Sequence, residues 1–186
     1  MKTIQLPQPA PMSMPLETAL QRRRTNRAPD AGELSDEHLC ALLWAAAGIT
    51  TEDGRRTTPS TLDLRAVEAY VLRKDGAWRF NAQDLTLEQT SEADVRRLST
   101  AYQFEFVEKA PVTIVFVADM ERSKDARPQG VWVDAGTMAQ SCYLAAASLG
   151  LAGCVRASFD HGLLREGMKL PERLEPIVVF TAGYPA

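Results

Sequence analysis

Residues Val112 to Ala118 read Val-Thr-Ile-Val-Phe-Val-Ala, a continuous apolar and β-branched run that ends at Asp119. A strand with one wet face alternates apolar with polar residues, whereas an unbroken run of this kind is covered on both faces. The chain must therefore fold around a central strand, with a sheet on either side of it and helices above and below. Asp134 to Leu149 is the longest helix expected: Met138, Cys142, Ala145, Ala146 and Leu149 recur at helical spacing, and Gly150 stops it. Its many small residues (Ala135, Gly136, Ala139, Ala145, Ala146, Ala147) let other elements approach closely.

The remaining elements follow from caps, turns and periodicity. Pro15 opens a short helix from Leu16 to about Arg23. Leu34-Ser35-Asp36 caps a helix that runs to Ala47, with Leu39, Leu42, Leu43 and Ala46 on one face and Gly48 as the stop. Lys74-Asp75-Gly76-Ala77 lies between Ala69–Arg73 and Trp78–Asn81 as a hairpin turn. Ser91 to Ser99 reads as a short capped helix, Phe104 to Lys109 as a further turn or two, and Met120 to Gly130 as a charged loop. Ala152 to Ser158 reads as a strand, Asp160 to Met168 as a helix, and Ile177 to Ala182 as the last strand. Met1 to Pro15 holds four prolines and reads as an extended arm, disordered or wrapped on a partner. The fold class expected is α+β in a single domain, residues 1–186, with that arm at 1–15.

Composition narrows the function. A length of 186 residues supports one sizeable core, and 45% hydrophobic with 24% charged residues is the balance of a globular protein. A net charge of −3 argues against a nucleic-acid or membrane-surface partner, and no apolar run reaches the roughly 18 residues of a membrane span. Cys40, Cys142 and Cys154 have apolar neighbours and no metal-like spacing. They read as buried hydrophobes in a reducing, cytoplasmic compartment and not as a metal site; Met1 to Pro15 is not a signal peptide as it stands, the alternative being the start of a mature chain whose signal has been removed. His38 and His161 read as structural, and no nucleophile–base set can be assembled. Asp119 and Glu121 read as solvated loop acids.

Against this mildly acidic background stands Gln21-Arg22-Arg23-Arg24-Thr25-Asn26-Arg27, four arginines and a hydroxyl in seven residues. Guanidinium forks bind phosphate oxygens bidentately, and a hydroxyl adds a donor. The bland alternative is a cationic helix end that complements the helix dipole. Two further polar segments accompany it: Arg55-Arg56-Thr57-Thr58-Pro59-Ser60-Thr61-Leu62-Asp63, and Gly150 to Asp160 after the long helix.

Taken in order, Arg23-Arg24-Thr25-Asn26-Arg27, Leu43-Trp44-Ala45-Ala46-Ala47-Gly48, Arg56-Thr57-Thr58-Pro59-Ser60-Thr61, Asp134-Ala135-Gly136 with Gln140, Gly150-Leu151 followed by Ser158-Phe159-Asp160, and Gly183-Tyr184-Pro185 resemble the FMN-dependent nitroreductase superfamily. The likeness spans Leu16 to Ala186 and is strongest to its short members related to SagB-type dehydrogenases. It implies a nitroreductase-like fold, a mostly antiparallel sheet flanked by helices, in an intertwined homodimer with FMN at the subunit interface. It further implies two-electron transfer from NAD(P)H through flavin N5 to a small organic acceptor by ping-pong turnover.

By that resemblance Arg23, Arg24 and Thr25 hold the phosphate and Arg27 the ribityl chain or flavin N1–O2 edge. Pro59, Ser60, Thr61 and Asp63 close over the ring from the other subunit, while Val155, Ala157 and Ser158 line it, the Ala157 amide toward N5. Asp63 and Ala157 depart from the family's common Asn and Gly; an acid at Asp63 would change the donors the pyrimidine meets, unless Arg55 or Arg56 pairs with it. Many relatives carry a basic residue beyond Gly-Tyr-Pro, where this sequence reads only Ala186, so the expectation is either that Arg22 or another cluster arginine supplies that charge or that FMN binds more weakly. Trp44 reads as core or dimer interface, Trp132 as a wall of the active site, and Tyr102, Phe104 and Phe106 as lid or core. The alternatives are a SagB-like dehydrogenase acting on an azoline or other peptide-borne group, and a flavin or small-molecule binder without catalysis.

Overall fold

The structure is a computed structural model that describes residues 2–125 and 128–186. Its elements in chain order are β1 (Thr3–Gln5), α1 (Leu16–Arg22), α2 (Asp36–Ala47), β2 (Val67–Arg73), β3 (Gly76–Asn81), β4 (Thr86–Ser91), α3 (Glu105–Lys109), β5 (Val112–Asp119), α4 (Gln129–Leu149), β6 (Ala152–Arg156), α5 (His161–Gly167) and β7 (Leu174–Gly183). Single 3-10 turns occupy Thr61–Asp63 and Arg96–Ser99. The strands form one seven-stranded sheet in the order β1-β4-β3-β2-β5-β7-β6, and every pairing is antiparallel.

All eight residues of β5 are buried, because β2 and β7 flank it and both faces of the sheet are covered. On one face Val67, Ala69, Val71, Ile114, Phe116, Val178 and Phe180 pack under α2 and α4. On the other, Tyr70, Leu72, Val115, Val117 and Val179 meet Leu164 and Met168. Leu39, Leu42 and Leu43 of α2 are essentially sealed from water, worth roughly 1.5–3 kcal/mol each. Ser35 caps α2 by accepting the His38 N–H at 3.3 Å.

Several boundaries differ from those expected. The arm does not hang free: β1 pairs with β4, and Leu6 is buried behind it. The expectation for that arm also includes Met1, and that for the charged loop includes Ala126 and Arg127; these residues lie outside the described ones. Ser91 to Ser99 is not a helix; Ser91 ends β4 opposite Ala77, and only Arg96–Ser99 turns. The ladder of a third strand outweighs a local cap signal. The longest helix starts at Gln129, not Asp134, so Trp132 lies on α4 rather than before it. Gly150 stops α4 in the left-handed region (φ 70°). Gly48 ends α2 with ordinary extended backbone (φ −61°, ψ 146°); a Cβ there would come within 2.4 Å of the Trp44 ring, so close approach is what demands glycine. Asp119 is not a solvated acid. It is buried, accepts the N–H groups of Glu121 and Arg122 at 3.1 Å each, and pairs with Arg173.

Candidate functional site

The arginine segment follows α1 and divides into different environments. Arg23 sits half-buried with its guanidinium 5.2 Å over the Tyr143 ring of α4. Thr25 Oγ1 and Tyr143 Oη share a hydrogen bond of 2.8 Å, and the same Oη accepts the Val155 N–H at 3.0 Å. Asn26 N–H donates to Gly153 O at 2.9 Å, so the segment runs alongside β6. Arg24 turns back and donates to Gln21 O and Arg23 O at 2.9 and 2.8 Å, finishing the open carbonyls of its own helix. The Arg27 charge partly offsets the upward push of burial on the Cys154 thiol.

Tyr143 thus ties the first and third polar segments together. It also lines a shallow pocket of about 320 Å³ with Gly136, Ala139, Gln140, Val155, Arg156, Ala157 and Val178. Val155 and Ala157 are exposed there, and Ala157 lies one residue beyond the last ladder pair, Arg156 with Val179. Ser158 is exposed beside them, and its carbonyl accepts the Ala101 N–H at 2.8 Å. Gly136, Gln140 and Tyr143 stand at i, i+4 and i+7 on one stripe of α4. That spacing was available in the sequence, but Tyr143 was not read as part of the site.

The second segment is built elsewhere. Thr57 and Thr58 hydroxyls donate to Trp44 O and Ala46 O at 3.0 and 2.8 Å, closing the last carbonyls of α2. Arg56 donates to Val67 O at 2.6 Å. The buried Asp134 carboxylate then takes four hydrogen bonds from the loop: Thr61 N–H at 2.9 and 3.0 Å, Thr61 Oγ1 at 2.8 Å and Ser60 Oγ at 3.2 Å. Beyond this anchor, Leu62, Asp63 and Arg65 all adopt left-handed backbone (φ 53°, 53° and 51°), and Leu62 is 70% exposed. The partner of Asp63 is neither Arg55 nor Arg56 but Arg65, through two contacts of 3.0 Å, and the Arg65 hydrogen bonds hold the Asp63 carboxyl below its usual range. Arg55 pairs with Asp53 instead. Pro59, Ser60 and Asp63 line a separate hollow of about 250 Å³ with Arg55, Arg56 and Arg65.

Asp134 and Tyr143 are nine residues apart on one helix, so roughly 14 Å and about half a turn separate them. Within one chain, the Pro59–Asp63 loop and the Tyr143–Val155–Ala157 pocket are therefore separate places. Two larger clefts, of about 640 and 870 Å³, are lined by the N-terminal arm with Trp44 and by Arg73, Lys74 and Tyr184; neither brings the candidate residues together. Trp132 is exposed, with its ring 6.1 Å from His161, which stacks on Phe159 at 4.8 Å. His38 Nδ1 hydrogen-bonds Tyr184 Oη at 3.0 Å, joining α2 to the Gly-Tyr-Pro end. All three cysteines are buried and unpaired; burial pushes the Cys40 thiol up to about 11. Among the described residues, no helix is long and apolar enough to cross a membrane.

This fold and chain are matched among known proteins. A protein of Methanocaldococcus jannaschii described as a candidate nitroreductase is 27% identical over 97% of this chain and 96% of its own length. A crystal structure of a candidate nitroreductase from Ralstonia eutropha JMP134 superposes with a TM-score of 0.92 at 36% identity, covering 100% of this chain and 90% of that one. A chain of the Escherichia coli microcin synthetase McbBCD complex, solved with truncated pro-MccB17, shares the fold at a TM-score of 0.76 and 21% identity, covering 88% and 70%. The sequence profile of the nitroreductase family matches residues 20–184. With nearly the whole chain matched and the expected antiparallel architecture in place, this protein belongs to the nitroreductase family, the oxidoreductases of nitroreductase type.

Proposed function

We propose that this chain is an FMN-dependent NAD(P)H oxidoreductase that works as an intertwined homodimer on a small organic acceptor. The observation that carries the reading is the convergence of Arg23, Thr25 and the Val155 N–H on Tyr143, beside the pocket floored by Val155 and Ala157. Arg23 and the Thr25 hydroxyl meet the Tyr143 side of that pocket, and Val155 and Ala157 give it exposed apolar surface. This is the donor set that a phosphate-bearing planar heterocycle requires. FMN, when bound, would accept two electrons from NAD(P)H and release them to the acceptor in a second, ping-pong half-reaction.

The residues of this chain bind and orient. Arg23 and Thr25 would hold the phosphate, with Arg24 joining them by exchanging its exposed backbone partners. Arg27 would face the ribityl or pyrimidine edge, and Val155, Ala157 and Ser158 would floor the ring. Pro59, Ser60, Thr61 and Asp63 would cover it from a second copy, because α4 keeps that loop away from the pocket of its own chain. A second copy is further supported by the uncovered apolar side chains Leu16, Leu20, Leu62, Trp132 and Val133, which stand 65%, 52%, 70%, 44% and 60% exposed. Asp63, already paired with Arg65, would present no free carboxylate to the ring.

Purified protein carrying the yellow flavin absorbance, bleached anaerobically by NADH or NADPH, is the expected result, with a dimer by light scattering. Colourless protein that takes up no FMN on titration overturns the reading. FMN uptake without bleaching by either nicotinamide favours a non-catalytic binder or a dehydrogenase that draws electrons from a peptide-borne group.

A further inference from the structure

Arg156 ends β6, one residue before Ala157, and its side chain leaves on the sheet face of Val179, opposite α4. Its Nη1 donates to Ser99 O at 2.5 Å, and its Nη2 donates to Ser99 Oγ at 3.5 Å and to Thr181 Oγ1. The guanidinium lies 5.5 Å from the Phe106 ring centre, and Nε is buried with no partner. Each of these neighbours is neutral.

Arg65, Arg73 and Arg96, half-buried like Arg156, each meet a carboxylate, as do the more exposed Arg79 and Arg173. Among the described residues Arg156 has no carboxylate partner; the titratable neighbour acting on it is Cys154, whose thiol burial raises and so keeps protonated and neutral. Burial holds Arg156 down at about 10, still far above neutrality, so the cation persists and its charge stands unneutralised. The exposed Arg27 adds a second positive charge acting on the same thiol. The end of β6 is therefore positive, next to the Ala157 amide.

Such a field does nothing for a neutral ligand and favours one that becomes negative. Hydride from NAD(P)H, which leaves as NAD(P)+, carries two electrons and one proton, so the neutral isoalloxazine gains one negative charge. Resting on the FMN reading above, we infer that Arg156 is a potential-setting residue: its uncompensated charge behind the ring-flooring strand makes reduced FMN bind more tightly than oxidised FMN. Two unit charges about 10 Å apart at an effective dielectric of about 20 shift an equilibrium by about tenfold. That ratio is ~30 mV for a two-electron couple.

The test is the midpoint potential, with the affinities for oxidised and reduced FMN, of the FMN-loaded wild type, R156M, R156K, S99D and S99N. R156M removes the charge, whereas S99D keeps Arg156 and supplies the missing carboxylate. Both are expected to lower the potential by ~30 mV, the reduced-to-oxidised affinity ratio falling about tenfold. R156K and S99N are expected to stay near wild type. An unmoved potential in R156M, or equal weakening of both oxidation states, assigns Arg156 a purely structural role and overturns the inference. Should R156M not fold, equal potentials in S99D and S99N overturn it instead. Wild-type protein that binds no FMN sinks the functional reading itself, whereas FMN binding with an Arg156-independent potential sinks this inference alone.

Discussion

Replacing Asp134 with asparagine should loosen the Pro59–Asp63 loop while leaving the sheet intact. The carboxylate accepts from Thr61 N–H, Thr61 Oγ1 and Ser60 Oγ, and it donates nothing. An amide of the same shape keeps one acceptor and turns two N–H groups toward donors. Hydrogen bonds to a charged acceptor contribute roughly 1.5–3 kcal/mol each. Ser60 and Thr61 are half-exposed, so water recovers part of that loss. Release of the left-handed backbone at Leu62, Asp63 and Arg65 returns about 1 kcal/mol or more. The net is a destabilisation of about 2 kcal/mol, or ~4–8 °C in Tm at this chain length. Urea unfolding at fixed protein concentration measures the global term, and amide exchange at Thr61 measures the local one. Because the same loop is assigned to a partner's ring, FMN affinity should fall as well. A loss under about 0.5 kcal/mol, with Thr61 exchange unchanged, would refute the anchoring role, since surface substitutions alone stay within that range.

Tyr143→Phe removes the hydroxyl shared by Thr25 and the Val155 N–H, so it should cost about 1–2 kcal/mol and weaken FMN binding about tenfold; unchanged affinity by titration would separate this network from the cofactor. Arg23→Ala should abolish FMN retention with an unaltered far-UV dichroism spectrum, and full retention would leave the arginine segment as a helix end. Gly48→Ala places a Cβ 2.4 Å from Trp44 Cδ1 and 2.5 Å from Trp44 O, one of them backbone, for a loss of about 1–3 kcal/mol in urea unfolding; a neutral result would mean that the end of α2 shifts freely. For Asp119, burial pushes the carboxyl up, but the Arg122 N–H and the Arg173 guanidinium outweigh it and hold it below its usual range. The folded value being the lower one, its stabilisation is complete above the unfolded carboxylate pKa near ~4 and is lost as pH falls through the folded value. The stability gap between wild type and Asp119→Asn should therefore shrink on acidification, and a gap constant down to about pH 2 would contradict this.

The elements that could be read from sequence were those whose cause is local or strongly periodic. β5, α2 with its Ser35 cap, the Asp75-Gly76 hairpin and the Gly150 stop all lie where the residues expected them. The failures share one cause, a local signal answered by a distant partner. Asp134 has the chemistry of an N-cap, and its carboxylate does accept a backbone N–H, but from Thr61, 73 residues away, while the helix runs on toward its N-terminus as far as Gln129. Ser91 and Asp94 look like the start of a helix, yet Ser91 is held opposite Ala77 in a ladder. β4 was not anticipated because Thr86 to Ser91 is largely polar, and only β1 and β3 on either side make it a strand.

By itself the sequence determined the class of the fold and the chemistry available: a doubly covered strand, amphipathic helices and a set of cations and hydroxyls suited to a phosphate. Those follow from composition and short-range pattern, which any chain carries with it before folding. Which of those groups meet was decided only in three dimensions. Tyr143 joins Thr25 to Val155, Arg65 rather than Arg55 takes Asp63, α4 holds the Pro59–Asp63 loop about half a turn away from the pocket, and Arg156 meets no carboxylate among the described residues. Hydrogen bonds and ion pairs act over a few ångströms, and sheet pairing across the chain sets which residues come within that reach.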